Sequence, residues 1–160
     1  MPNEVPPHGS NNGGHVVASW ATQEGLPFPL GVSWVKAEQA YNFALYSRHA
    51  EKVTLLLYRE DDLVRPVVSR RLDYLKNKSG RIWHCRVPQT EAAEARYYAY
   101  AIDGPMQHGH ILWHAFDPDK VLLDPYARAV FFPPSFDRRA AIAPGPNAGK
   151  APLGLLDACK

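Results

Sequence analysis

Between residues 40 and 103 apolar and polar side chains alternate in runs of seven or eight residues, the period of strands that bury one face. Ala40–Ser47 places Tyr41, Phe43 and Leu45 on one side, with Asn42 and Ala44 on the other. Lys52–Arg59 places Val53, Leu55 and Leu57 together. Its opposite face, Thr54, Leu56 and Tyr58, is also largely apolar, which predicts a central strand covered on both sides. Arg65–Leu72 carries Pro66, Arg70 and Arg71, and proline with charge marks an edge strand. A turn signal at Asn77–Gly80 leads into Arg81–Val87, where Trp83, Cys85 and Val87 oppose Ile82, His84 and Arg86. Arg96–Asp103 is rich in tyrosine and closes on Asp103-Gly104-Pro105, while Lys120–Leu123 and Ala129–Phe132 are shorter strand candidates. Helical periodicity is nearly absent, since Gln89–Ala95 follows Pro88 and has length for little more than a turn. About seven strands spaced ~8–12 residues apart predict an all-β, immunoglobulin-like two-sheet β-sandwich.

Proline and glycine set the expected boundaries. Of 15 Pro and 11 Gly, only nine fall within residues 30–132, so the ladder-breaking residues concentrate at the two ends. The expected division is a flexible tail over 1–25, a sandwich over 26–132 and an extended linker over 133–160. Charge adds little, because 18 Lys and Arg against 16 Asp and Glu leave a net of +2, too small to argue for nucleic acid as a partner. No apolar run approaches the ~20 residues of a membrane span, so no membrane partner is expected. The first residues lack the basic and apolar regions of a secretory signal, and a cytoplasmic location is expected. Cys85 and Cys159 do not make a disulfide framework and are read as free thiols.

Candidate chemistry is sparse. His108, His110, His114 and Asp117 lie within ten residues and have the residue types of a zinc set. Pro105 and Gly109 break the strand that would align them, so a histidine-rich surface loop is expected, with no metal and no other cofactor. No nucleophile elbow or phosphate loop occurs, and Asp61, Asp62, Asp73, Asp103, Asp117, Asp119 and Asp124 sit mostly in turns, where aspartate caps the backbone. No catalytic residue is assigned. Four Trp and eight Tyr are many for one domain, and flat rings on a sandwich surface suit the apolar C–H faces of sugars. The candidate carbohydrate contacts are Trp113, Tyr100, Tyr98 and Trp34, with core packing as the competing reading. Trp83, alternating with Cys85 and Val87, is assigned to the core.

The order of motifs is specific. Pro29-Leu30-Gly31 precedes Asn42-Phe43-Ala44-Leu45-Tyr46-Ser47 and His49-Ala50-Glu51-Lys52-Val53. Gly80-Arg81-Ile82-Trp83-His84 and Tyr98-Ala99-Tyr100 with Asp103-Gly104-Pro105 follow. The last block runs from Phe116-Asp117-Pro118 through Lys120-Val121-Leu122-Leu123-Asp124-Pro125-Tyr126-Ala127-Arg128. This series resembles the N-terminal domain of bacterial glycogen debranching enzymes and isoamylases of glycoside hydrolase family 13, grouped with carbohydrate-binding module family 48. The likeness covers residues 26–132 and continues around 140–156.

The resemblance implies a β-sandwich ahead of a catalytic (β/α)-barrel that carries the nucleophile and acid and cleaves α-1,6-glucosidic branch points. This chain holds none of those residues, so no glycosidase activity of its own is expected. Its implied partners are that barrel and an α-glucan such as glycogen or amylopectin. The alternatives are a free-standing glucan-binding or regulatory module and an immunoglobulin-type protein-interaction domain. Where relatives carry Gly-His-Arg-Phe-Asn-Pro, this chain has His110-Ile111-Leu112-Trp113-His114-Ala115, and weak or absent glucan binding is expected. Asp124 is expected to cap the turn before Tyr126. Phe131, Phe132 and Phe136 lie past the last strand block and are expected to be left uncovered, giving weak self-association.

Overall fold

The computed structural model describes residues 24–105 and 116–160. Residues 1–23 of the expected tail, Trp20, Trp113 and the three clustered histidines lie outside the described residues.

Among the described residues nine strands form two sheets in which every pairing is antiparallel. One sheet has β1 (Gly31–Val35), β2 (Ala40–Tyr46), β6 (Ile82–Pro88) and β5 (Lys78–Ser79), in the order β1-β2-β6-β5. The other has β3 (Lys52–Tyr58), β4 (Val68–Arg71), β7 (Tyr97–Asp103), β8 (Val130–Phe131) and β9 (Leu153–Leu155), in the order β4-β3-β7-β9-β8. From Gly31 onward the helical elements among the described residues are short 3-10 turns. The arginine-bearing β4 stands at a sheet edge, as its charges and the Pro66 just ahead of it lead one to expect, and β3 is internal.

The alternation sets the core. Tyr41, Phe43 and Leu45 of β2 and Trp83, Cys85 and Val87 of β6 face Val53, Leu55 and Leu57 of β3 and Tyr98 and Tyr100 of β7. Each fully buried apolar side chain of this kind contributes about 1.5–3 kcal/mol. Trp83 is in the core, as its neighbours predict.

Both sheets carry a second layer. On the four-stranded sheet, the outward residues Asn42 and His84 are buried because residues 24–26 cross them. Asn42 Oδ1 accepts from Leu26 N (2.7 Å), its Nδ2 donates to Leu26 O (2.9 Å), and His84 Nδ1 lies 2.6 Å from Glu24 O. The crossing is so close that a Cβ on Gly25, at φ +72°, would stand 2.6 Å from the Cys85 carbonyl carbon.

On the five-stranded sheet, the outward residues Leu56, Tyr58, Tyr97 and Ala99 pack under Val121, Ala151 and Leu153. The stretch 133–160, expected as an extended linker, is largely irregular, but its end belongs to the sandwich. Leu155 and Gly154 of β9 pair with Tyr97 and Tyr98, while β8 pairs along the other edge of β9. Two buried polar side chains fasten this cover. Lys120 Nζ donates to the carbonyls of Ala140 (2.9 Å), Ala143 (2.6 Å) and Gly145. Asn147 brackets Val121, accepting its N–H at 2.7 Å and donating to its carbonyl at 3.1 Å.

Candidate functional site

Two of the expected sugar contacts are removed by burial. Tyr98 and Tyr100 are 0% and 1% exposed, because β7 turns them inward against Leu57 and Leu55, their cross-strand partners on β3. A ring enclosed on all sides offers no face to a sugar, so neither is a surface platform. Tyr98 packs edge-on to Phe43 at 5.4 Å and to Tyr100 at 6.2 Å. Gly154 of β9 passes directly over it, and a Cβ there would lie 2.4 Å from the Tyr98 ring.

The hydroxyl of Tyr98 has a definite task. It donates to Asp124 Oδ2 at 2.9 Å, while Asp124 Oδ1 accepts the Tyr126 N–H at 2.8 Å and the Asp124 carbonyl accepts the Ala127 N–H at 3.1 Å. Asp124 therefore caps its turn as expected, and it also latches that turn to the centre of the sandwich. Burial pushes the Asp124 carboxyl above the usual carboxylate range, against the opposing pull of the Tyr126 amide and the Tyr98 hydroxyl. Burial likewise raises Tyr98 and Tyr100, and it pushes the Cys85 thiol up to about 12. The Tyr100 hydroxyl has no hydrogen-bond partner among the described residues. Cys85 and Cys159 are both free and buried.

Trp34 reaches a surface. It is half-buried on β1, with the Tyr41 ring edge-on at 4.9 Å and Lys160 Nζ 5.1 Å from its centre. Beside it lies an open cleft of about 390 Å³ lined by Tyr41, Gln89, Glu94, Arg96, Asp157 and Lys160. Lys160 and Arg96 are drawn off by Asp157 (3.7 Å) and Glu60 (2.6 Å), exposed pairs that contribute little to stability.

The structure does not bring the remaining candidates together into a reactive set. Asp117 caps a turn, accepting the Asp119 N–H at 3.0 Å, and no group of metal-ligating side chains occurs among the described residues. Asp62 and Asp73 cap turns in the same way. Of the three phenylalanines expected to be uncovered, Phe131 instead stacks on Tyr97 at 4.4 Å, because it is a strand residue of β8 facing the second core. Phe132 and Phe136 form an edge-on pair at 5.0 Å and stay 57% and 40% exposed.

One exposed ring was not singled out by its sequence surroundings. Tyr74 stands between β4 and β5, 60% exposed. The usable signal was Asp73-Tyr74-Leu75-Lys76-Asn77, an aromatic residue in a turn bracketed by two turn-capping side chains.

The family model of carbohydrate-binding module 48, described as the isoamylase N-terminal domain, matches residues 29–127. The chain is 45% identical over 111 residues to isoamylase 3, chloroplastic, of Oryza sativa subsp. japonica, covering 66% of this chain and 14% of that protein. It is 39% identical over 108 residues to the glycogen debranching enzyme of Erwinia tasmaniensis, covering 68% of this chain and 15% of that protein. The fold is also that found in the catalytic module of the pneumococcal glycogen-degrading virulence factor SpuA, with TM-score 0.54 and 19% identity, over 82% of this chain and 16% of that one. A Group B Streptococcus pullulanase, SAP, solved in complex with maltotetraose, gives 0.53 and 17%, over 79% of this chain and 14% of that one. The chain thus spans about one-seventh of the length of the curated relatives it matches.

Proposed function

Because the chain belongs to the carbohydrate-binding module 48 family of isoamylase N-terminal domains, we propose that it is the accessory domain of a debranching glycoside hydrolase acting on α-1,6-glucosidic bonds. In this role it packs on the catalytic barrel and contacts the branched α-glucan. The observation that carries the reading is the extent of the match: most of the sandwich aligns, against only 14–15% of an isoamylase and a glycogen debranching enzyme. Hydrolysis is assigned to the barrel, where a carboxylate pair about 5–5.5 Å apart would act with retention. The sandwich supplies a fixed body beside it. The Tyr98–Asp124 latch supports this role, since it ties the most specific motif block to the core rather than to a ligand.

The exposed Phe132–Phe136 pair is an apolar contact for the barrel, or for a second copy when the barrel is absent. Two buried free thiols support the cytoplasmic location expected from the sequence.

The reading frame that encodes Lys160 tests the proposal. A continuation with a barrel and a retaining carboxylate pair, whose product loses debranching activity on amylopectin when residues 1–160 are deleted, supports it. A stop codon there would overturn the accessory role and leave a free-standing glucan-binding module.

A further inference from the structure

Tyr74 sits on a turn held from both ends. Asp73 Oδ1 accepts the amides of Leu75 (2.8 Å) and Lys76 (3.1 Å), Asn77 Oδ1 accepts that of Asp73 (2.9 Å), and the Asn77 amide donates back to the Asp73 carbonyl (2.8 Å). The ring itself is placed edge-on to the buried Trp83 at 5.8 Å, with Lys78 Nζ 4.3 Å from its centre. The hydrogen bonds fix the turn and the ring rests against Trp83 and Lys78, while 60% of the residue faces water.

Beside the ring is a cleft of about 340 Å³ lined by Glu51, Arg71, Leu72, Asp73 and Tyr74, within the ~300–1,000 Å³ of small-molecule sites. Leu72 is buried and makes an apolar floor. Glu51 and Arg71 form no ion pair among the described residues, and the turn uses only one oxygen of Asp73. Two acids, Glu51 and Asp73, and one base, Arg71, line the cleft, while Lys78 stands over the Tyr74 ring outside that lining. The cleft offers donors and acceptors side by side next to an aromatic ring.

A neutral polyol with one apolar face meets those terms. A hexose lays its C–H face on the tyrosine ring, while its vicinal hydroxyls pair with the guanidinium fork and the carboxylates. The Trp34 cleft fits less well, because its ring is half-buried and its bases are already drawn to Asp157 and Glu60. We propose that the cleft between Tyr74, Arg71 and Glu51 seats one hexose unit of an α-glucan chain. The inference rests on the glucan reading given above and assigns it a place. The cleft is open to water, so about millimolar affinity is expected, in keeping with weak binding by the isolated chain.

The test is titration of the 15N-labelled 160-residue chain with maltoheptaose, with cellohexaose as the β-linked control. Amide shifts at Arg71, Tyr74 and Lys78 for the α-glucan, about tenfold weaker binding in both Tyr74→Ala and Tyr74→Leu, and an unchanged spectrum elsewhere are expected. The leucine variant keeps apolar volume against Trp83 and removes only the flat ring, so it stays informative if the alanine variant is poorly folded. Shifts centred on Trp34, Tyr41 and Lys160 with Tyr74 silent would overturn this inference and leave glucan contact standing. No shift at any residue would remove both.

Discussion

Replacing Tyr98 by Phe deletes one oxygen from the middle of the sandwich and leaves every packing contact of the ring in place. The deleted hydroxyl donates to Asp124 Oδ2 at 2.9 Å, and Asp124 is 1% exposed, so no water replaces it without opening the core. A hydrogen bond to a buried charged group contributes about 1.5–3 kcal/mol, against about 1 kcal/mol for a neutral one. At neutral pH the variant should lose about 2 kcal/mol, or roughly 4–10 °C in Tm for a domain of this size. The pH dependence follows from the direction of the Asp124 shift. Its folded value is raised above the ordinary 3.8, so its protonated form stabilises the fold fully below that value, and this stability is lost as pH rises through the folded pKa. The Tyr98 hydroxyl holds that folded value down, and its removal lets it climb further. The loss in Tyr98→Phe should therefore be larger at pH 7 than at pH 4, where it shrinks towards the neutral hydrogen bond. Asp62 and Asp103, half-buried and shifted the other way, are common to both proteins and cancel in the comparison. Guanidinium unfolding followed by tryptophan fluorescence at the two pH values measures the difference. Equal losses at both, or a loss at pH 7 below about 0.5 kcal/mol, the scale of a surface substitution, would refute the reasoning.

Four further outcomes are expected. Lys120→Met removes a buried ammonium from three backbone carbonyls and should destabilise the protein by about 2–4 kcal/mol, with early proteolytic cleavage between residues 138 and 149 in a time course. Gly154→Ala forces a methyl to within 2.4 Å of the Tyr98 ring and should cost about 1–3 kcal/mol in chemical denaturation. The pure 160-residue chain should release no reducing ends from glycogen or amylopectin, read by a reducing-sugar assay at high protein concentration. The wild-type chain should associate weakly in sedimentation as concentration rises, and Phe132→Ser with Phe136→Ser should abolish this, because that pair is the exposed one.

The strands that carry the core were legible because one face of each is apolar at a period of two. That signal gives β2, β3, β6 and β7, and in β3 even the burial of both faces. It fails for β1, whose five residues follow Pro27 and Pro29 and begin with Gly31, and for the three-residue β9, which pairs only because Gly154 clears the Tyr98 ring. Asn42 was rightly placed away from the core side, but its burial depends on a segment 16 residues earlier, which no local pattern reports. Of the candidate ligand residues, Tyr98 and Tyr100 share a face by alternation, but which way that face turns is set by their register with Leu57 and Leu55, the core side of the neighbouring strand, and no local pattern reports a register. Periodicity gave no sign of Tyr74, because an aromatic residue in a turn has no period, and its ring rests on Trp83 of another strand, which only the turn-capping Asp73 and Asn77 beside it could have hinted at.

The position of β9 between β7 and β8 has a consequence for how the chain is made. Synthesis runs from the N-terminus, so β1 to β7 emerge first and can pair locally. The edge of β7 at Tyr97 and Tyr98 then stays unpaired, and Leu56, Tyr58 and Ala99 stay bare, until Gly154 and Leu155 have cleared the ribosome. A nascent chain in that interval presents an open strand edge next to an apolar surface, the combination that recruits other chains. Its hazard during translation is set by the time taken to add residues 104–155, and a slow codon in that stretch would prolong it.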